Sequence, residues 1–186
     1  MSPATTFEAL AVIETGSIAR GFVVLDGVVK KAPVVVKYAQ PVSPGRFLLV
    51  FGGGVEATLE GMEAARSIAG SDVVDELFLP GAHPALLPAI DRAVVAERGE
   101  AIGIVETSTV AAAILAADVA LKAVDVRVLR MHLALGTGGK GWFTLCGPVG
   151  DVDAALDAVR AVVRSDRLVG VELLARPHAE VRGFLS

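Results

Sequence analysis

Cysteine is almost missing from this chain: Cys146 is the single one in 186 residues. No intrachain disulfide framework can form, and the lone thiol fits a reducing compartment. Basic charge is not in excess either. Seventeen Lys and Arg stand against 21 Asp and Glu, for a net charge of −4. That balance argues against a sequence-independent nucleic-acid binder, which needs a basic surface. Long hydrophobic runs are absent as well. The longest, Val110 to Ala117, is cut by Asp118, far short of the ~20 residues of a membrane-spanning helix. Met1 to Glu8 has neither a basic nor an apolar region of the kind a secretory signal carries, so none is expected. The three histidines, His83, His132 and His178, have no His or Cys at metal-ligand spacing, so no metal site is expected. No Ser-His-Asp or Cys-His set is discernible, so no catalytic residue is assigned.

What is present is apolar mass. Hydrophobic residues make up 53% of the chain and the mean hydropathy is +0.62. Extensive subunit contacts are the simplest place to bury such a surplus, because interfaces hide what a small domain cannot.

The second positive feature is an internal repeat. Ala9-Leu10-Ala11-Val12-Ile13-Glu14-Thr15 recurs as Ala101-Ile102-Gly103-Ile104-Val105-Glu106-Thr107 at an offset of 92, which also places Asp26 on Asp118 and Lys30 on Lys122. Phe47 to Gly52 matches Trp142 to Gly147 at offset 95, Val55-Glu56 matches Val152-Asp153 at offset 97, and Glu76-Leu77 matches Glu172-Leu173 at offset 96. The drift falls at Gly/Pro-rich places, where loops change length cheaply. The chain therefore reads as a tandem duplication, residues 7–97 and 98–186, with the boundary in the polar stretch Glu97 to Glu100.

Each half has the same elements. The spacing predicts a strand over 10–14, a helix over 17–31 with Ser17 as N-cap, a strand over 34–39, a turn over 41–45, a strand over 47–51, a helix over 55–69 and a strand over 73–79. The second half repeats this as strand 101–106, helix 109–123, strand 125–135, loop 136–141, strand 142–146, helix 151–164 and strand 168–175. Strand, helix, hairpin, helix, strand is an α+β unit, expected as an antiparallel sheet with helices on one face.

Gly136-Thr137-Gly138-Gly139-Lys140-Gly141 satisfies G-x-G-x-x-G. The dinucleotide mechanism needs a helix directly after the glycines, whereas Trp142 to Cys146 reads as a strand. A hairpin loop of close-packed backbone is the expectation. Glu14 and Glu106 each end an apolar strand and stand at repeated positions with no His, Ser or Cys beside them. A structural role is expected, accepting hydrogen bonds from the next backbone turn or a neighbouring subunit. His83 precedes Pro84 and His178 follows Pro177, at nearly equivalent turns, where a turn or interface role is expected, and His132 lies on a strand as a solvent-facing or contact residue. Lys30 and Lys122 each follow an Asp by four residues, the spacing of an i,i+4 ion pair.

The small apolar run with Ile13-Glu14-Thr15, the helix with Asp26 and Lys30, and the hairpin that follows resemble the bacterial microcompartment shell-protein domain. Two such domains in one chain resemble the tandem shell proteins, and the likeness covers about Phe7 to Leu185. It implies two ferredoxin-like α+β domains in a homotrimer that mimics a hexamer and tiles with other shell proteins, hexameric and pentameric. It also implies a cytoplasmic microcompartment shell as the location and the enclosed enzymes as further partners, with no role for nucleic acid or membrane. The hairpin loops are similar to pore loops: Val42, Ser43, Pro44, Gly45 and Arg46 in the first half, and Gly136, Thr137, Gly138, Gly139 and Lys140 in the second. They would line an axial pore for small polar or anionic metabolites. Lys30 and Lys122 are similar to edge lysines, and Arg176 in Arg176-Pro177-His178 to the edge arginine; the first half has Pro80-Gly81-Ala82-His83 instead. Some tandem members hold an axial iron–sulfur cluster through a loop cysteine. Ser43 stands at that position here, so no cofactor is expected, since thiolates hold such clusters. The alternatives are an electron-transfer tile with such a cluster, or a trimeric small-ligand-binding regulator.

Overall fold

The computed structural model describes residues 7–91 and 99–185. The chain divides into two compact units, the first ending at Ala82 and the second beginning at His83. The repeat boundary expected at 97/98 lies outside the described residues.

The first unit contains β1 (Ala9–Thr15), α1 (Ile18–Lys31), β2 (Val35–Val42), β3 (Arg46–Gly53), α2 (Val55–Ala69) and β4 (Val73–Pro80). Its sheet has the order β2-β3-β1-β4, and every pairing is antiparallel. The second unit opens with the short α3 (Leu86–Ile90). It continues through β5 (Ala101–Thr107), α4 (Val110–Ala123), β6 (Arg127–Leu133), β7 (Gly141–Gly147), α5 (Val149–Val162) and β8 (Leu168–Ala175) to α6 (Ala179–Leu185). Its sheet order, β6-β7-β5-β8, repeats the first. The α+β fold expected of each half is what forms.

Local chemistry explains the shared frame. Ser17 caps α1 by accepting the Arg20 N–H at 3.2 Å, and Thr109 caps α4 by accepting the Ala112 N–H at 3.3 Å. The threonine that ends each central strand closes the turn into its helix. Thr15 Oγ1 donates to the Ser17 carbonyl at 2.9 Å, and Thr107 Oγ1 to the Thr109 carbonyl at 2.7 Å. In the first unit Ala11, Ile13, Phe47, Leu49 and Phe51 meet Val24, Val28, Met62 and Ala65 of the two helices in one buried core. In the second unit α6 adds cover on the opposite sheet face. Leu185 packs near Ile102, Leu129 and Cys146, and its carbonyl accepts the Thr144 hydroxyl at 2.7 Å.

The ladders correct the repeat alignment. Ala9 and Ala101 lie opposite Gly53 and Gly147, and Thr15 and Thr107 opposite Phe47 and Gly141. The counterpart of Trp142 is therefore Leu48, and Phe47 corresponds to Gly141; the offset is 94 (147 − 53), not 95. A one-residue slip matters in a strand because it exchanges the faces. The buried set of α2, Thr58, Gly61, Met62 and Ala65, corresponds to Val152, Ala155, Leu156 and Val159 of α5, again at 94 (152 − 58) rather than 97. Three residues rotate a helix by about 300°, nearly a full turn, so that slip preserves the buried face. Ala9 and Ala101 lie opposite Pro80 and Ala175, an offset of 95 (175 − 80) rather than 96.

The second repeat is longer in the hairpin. Pro41 pairs with Phe47 and Leu133 with Gly141, which leaves residues 42–46 in one hairpin and 134–140 in the other. Pro41 and Val42 belong to β2 rather than to the expected turn; β2 is an edge strand, where a missing N–H is tolerated. β6 stops at Leu133, earlier than expected, because Ala134 turns the chain with φ 59°.

The two repeats also fill one contact differently. Gly21 of α1 packs so tightly on β3 that a Cβ would lie 2.3 Å from Phe47 Cβ. The equivalents are Ala113 and Gly141, where a Cβ on Gly141 would lie 2.7 Å from Ala113 Cβ. Each repeat puts a glycine on one side of the contact, on opposite sides.

Candidate functional site

The hairpin loops are built from backbone that accepts few side chains. In the first, Val42 is buried, Pro44 and Gly45 are exposed, and Gly45 has φ 96° and donates to the Val42 carbonyl at 3.1 Å. In the second, Gly136, Gly138 and Gly139 have φ of 73°, 64° and 90°, conformations that favour glycine. Thr137 and Lys140 close this loop on itself: the Thr137 hydroxyl donates to the Lys140 carbonyl at 2.7 Å, and the Lys140 N–H to the Thr137 carbonyl at 3.2 Å. A strand, Gly141–Gly147, follows the glycines. The G-x-G-x-x-G match therefore lacks the helix N-terminus that would hold a pyrophosphate.

A carboxylate stands at the base of each loop. Glu14 Oε2 lies 3.6 Å from Arg46 Nη1, with the Glu14 side chain fully buried and Arg46 24% exposed. Glu106 Oε1 accepts from Lys140 Nζ at 2.8 Å, with side chains 37% and 46% exposed. The pairs are equivalent: the glutamates precede Thr15 and Thr107, and the cations precede the residues opposite those threonines. The glutamates have a structural role at the base of the loops. They hold the cation of their own hairpin, bringing together residues that sequence reasoning assigned separately.

The remaining expected site residues stand on other elements, the helices α1 and α4 and the turn after β8. Lys30 and Lys122 each donate to their helix partners Asp26 and Asp118 at 2.6 Å, the i,i+4 pairs the spacing indicated. Asp118 also accepts the His83 N–H at 2.7 Å. Arg176 has φ 55° where its equivalent Gly81 has φ 65°; their N–H groups bond to the equivalent carbonyls of Glu100 and Glu8 at 3.1 and 2.7 Å. His83 and His178 make matching turns, each Nδ1 accepting the N–H two residues on, from Ala85 at 3.2 Å and Glu180 at 3.4 Å. A cluster beside the second loop was not anticipated: the His132 ring stacks on Trp142 at 5.5 Å, and the Arg130 guanidinium sits 5.2 Å from the Trp142 centroid. The corrected register is the signal that would have found it, because His132 pairs directly with Trp142.

The BMC domain model matches residues 9–82 and, a second time, residues 101–177. The chain belongs to the BMC-domain family. This tandem BMC protein is 39% identical over 172 residues to the bacterial microcompartment shell protein PduT of Citrobacter freundii, covering 92% of this chain and 94% of that one. It is 38% identical over 96 residues to the carboxysome shell protein CsoS1B of Hydrogenovibrio crunogenus, covering 93% of that relative but 48% of this chain. A crystal structure of a microcompartment protein from Desulfitobacterium hafniense DCB superimposes with a TM-score of 0.86 at 32% identity, covering 96% of this chain and 99% of that one. The residues do not fit a thiolate-held cluster in the hairpin: Ser43 occupies the first loop, and Cys146 lies buried in β7 against Ile102 and Leu129. Among the described residues no group of three His, Cys, Asp or Glu is placed to hold a metal ion, and no helix is long and apolar enough to cross a membrane.

Proposed function

We propose that this tandem BMC protein is a structural tile of a microcompartment shell. Three copies close into a ring of six BMC domains around an axial pore, which passes small polar or anionic metabolites without catalysing a reaction. Hexameric and pentameric tiles are its neighbours in the shell, and the enclosed enzymes a further class of partner. Lys30, Lys122 and Arg176 stand at tile edges. Only the second repeat carries the arginine, so alternate edges differ. Val42 to Arg46 and Gly136 to Lys140 form the pore rim.

The observation that carries this reading is a difference in cover between equivalent helices. Phe22 and Val29 of α1 are 52% and 47% exposed, whereas their equivalents Ile114 and Leu121 of α4 are 0% and 6% exposed. Val23, beside Phe22, is 52% exposed too. A contiguous apolar face of this kind marks a protein–protein contact. α4 is packed against the short α3 of its own unit, whereas α1 presents the same apolar face to solvent. A closed ring of copies gives every α1 that cover.

Light scattering on a size-exclusion column tests it. Three chains of 19.1 kDa give a mass of about 57 kDa, and Phe22→Asp is expected to bring it down to that of one chain. A wild-type protein that stays monomeric at all concentrations rejects the tile.

A further inference from the structure

We infer that Glu14 and Glu106 set the charge selectivity of the rim by holding Arg46 and Lys140, and that the Glu106–Lys140 pair is the adjustable one, opened by small carboxylate or phosphate anions. This rests on the pore reading above.

The argument starts from the recurrence of one arrangement under two environments. Both pairs join the end of a central strand to the last residue of the hairpin. In the first repeat the pair is shut away, with Glu14 fully buried and Arg46 only 24% exposed. A small anion cannot replace a carboxylate it cannot reach. In the second repeat both partners are open to solvent, where an ion pair is weakly held. Neutralised by its glutamate, Lys140 contributes little net charge to the rim.

The two partners of the open pair are not equally free. Glu106 stands on the central strand β5 directly opposite Trp142, whose ring is stacked on His132. Lys140 is anchored through its backbone to Thr137, while Glu106 is the partner its ammonium group holds. A lysine is a point charge on a flexible stem, so the lysine swings and the glutamate stays. An arriving carboxylate or phosphate oxygen substitutes for the Glu106 oxygen, exchanging one ion pair for another. An arriving cation finds Lys140 in its way and the glutamate already occupied.

The experiment is the reversal potential of the purified assembly in a planar bilayer across a KCl gradient. Glu106→Gln is expected to raise the chloride-to-potassium permeability ratio about two- to fivefold, the exchange range of an exposed ion pair. Lys140→Gln lowers the ratio, and the double variant returns it to the wild-type value. An unchanged ratio in Glu106→Gln, with the assembly mass intact, overturns the inference. A wild-type assembly that does not conduct rejects the pore reading instead, and the latch is then read in solution. Reductive methylation of Lys140, followed by mass spectrometry, must run faster in Glu106→Gln. Equal rates in the two proteins overturn the latch.

Discussion

The two repeats share a strand order and a pair of capped first helices, yet they differ wherever a contact can be made in more than one way. At the crossing of the first helix with the third strand, one repeat opposes Gly21 to Phe47 and the other Ala113 to Gly141. At the loop base, one repeat uses a buried Glu–Arg pair and the other an exposed Glu–Lys pair. After the last strand, one uses glycine at positive φ and the other arginine. The frame is set by backbone hydrogen bonds and by the burial of the central strands. The pairs that fill it are free to change as long as both members change together.

That comparison can be broken most forcefully at the helix–strand crossing. Gly21→Ala is expected to destabilise the protein by about 3 kcal/mol in urea unfolding, the upper range for overpacking, because the new methyl meets Cβ and Cγ of a buried phenylalanine. Gly141→Ala should cost less, and Ala113→Gly in the same chain should restore part of the loss. The backbone of Thr109 and Val110, 3.0 Å from the added Cβ, still resists it. Failure of that rescue would show that the two sides of the contact are not coupled.

The loop-base pairs sharpen the contrast next. Arg46→Ala leaves a carboxylate buried without its cation and should cost about 3 kcal/mol. Lys140→Ala removes an exposed pair and should cost under about 1 kcal/mol. Equal losses in the unfolding midpoint would contradict the difference in environment. The smallest effect is expected at Arg176. Arg176→Gly relieves left-handed backbone strain but loosens the unfolded chain, for a net gain of about 0.5 kcal/mol. If the arginine serves at a tile edge, electron microscopy of the same variant should show fewer ordered sheets.

Much of this frame was legible in the residues. The helix over 55–69 and the strand over 168–175 form within the limits that spacing indicated, and Ser17 caps its helix as its position suggested. Periodicity found these because each carries a long apolar face. The short α3 and α6 were not read: five and seven residues are too few to show a helical period. The alignment of the two hairpin strands slipped because matching aromatics, Phe47 with Trp142, outweighed the face on which each residue lies. The site suffered from the same slip. Glu106 and Lys140 were each noticed, but 34 residues separate them, and only the strand register shows that they meet.

The unequal hairpins have a consequence for supply. Because both repeats are one polypeptide, each copy delivers one short and one long loop, whatever the level of synthesis. An organism that built the proposed ring from two separate single-domain chains would have to match their production and prevent rings of one kind. Covalent linkage replaces that control with arithmetic, and the proposed ring of three copies would hold the two loops in equal number.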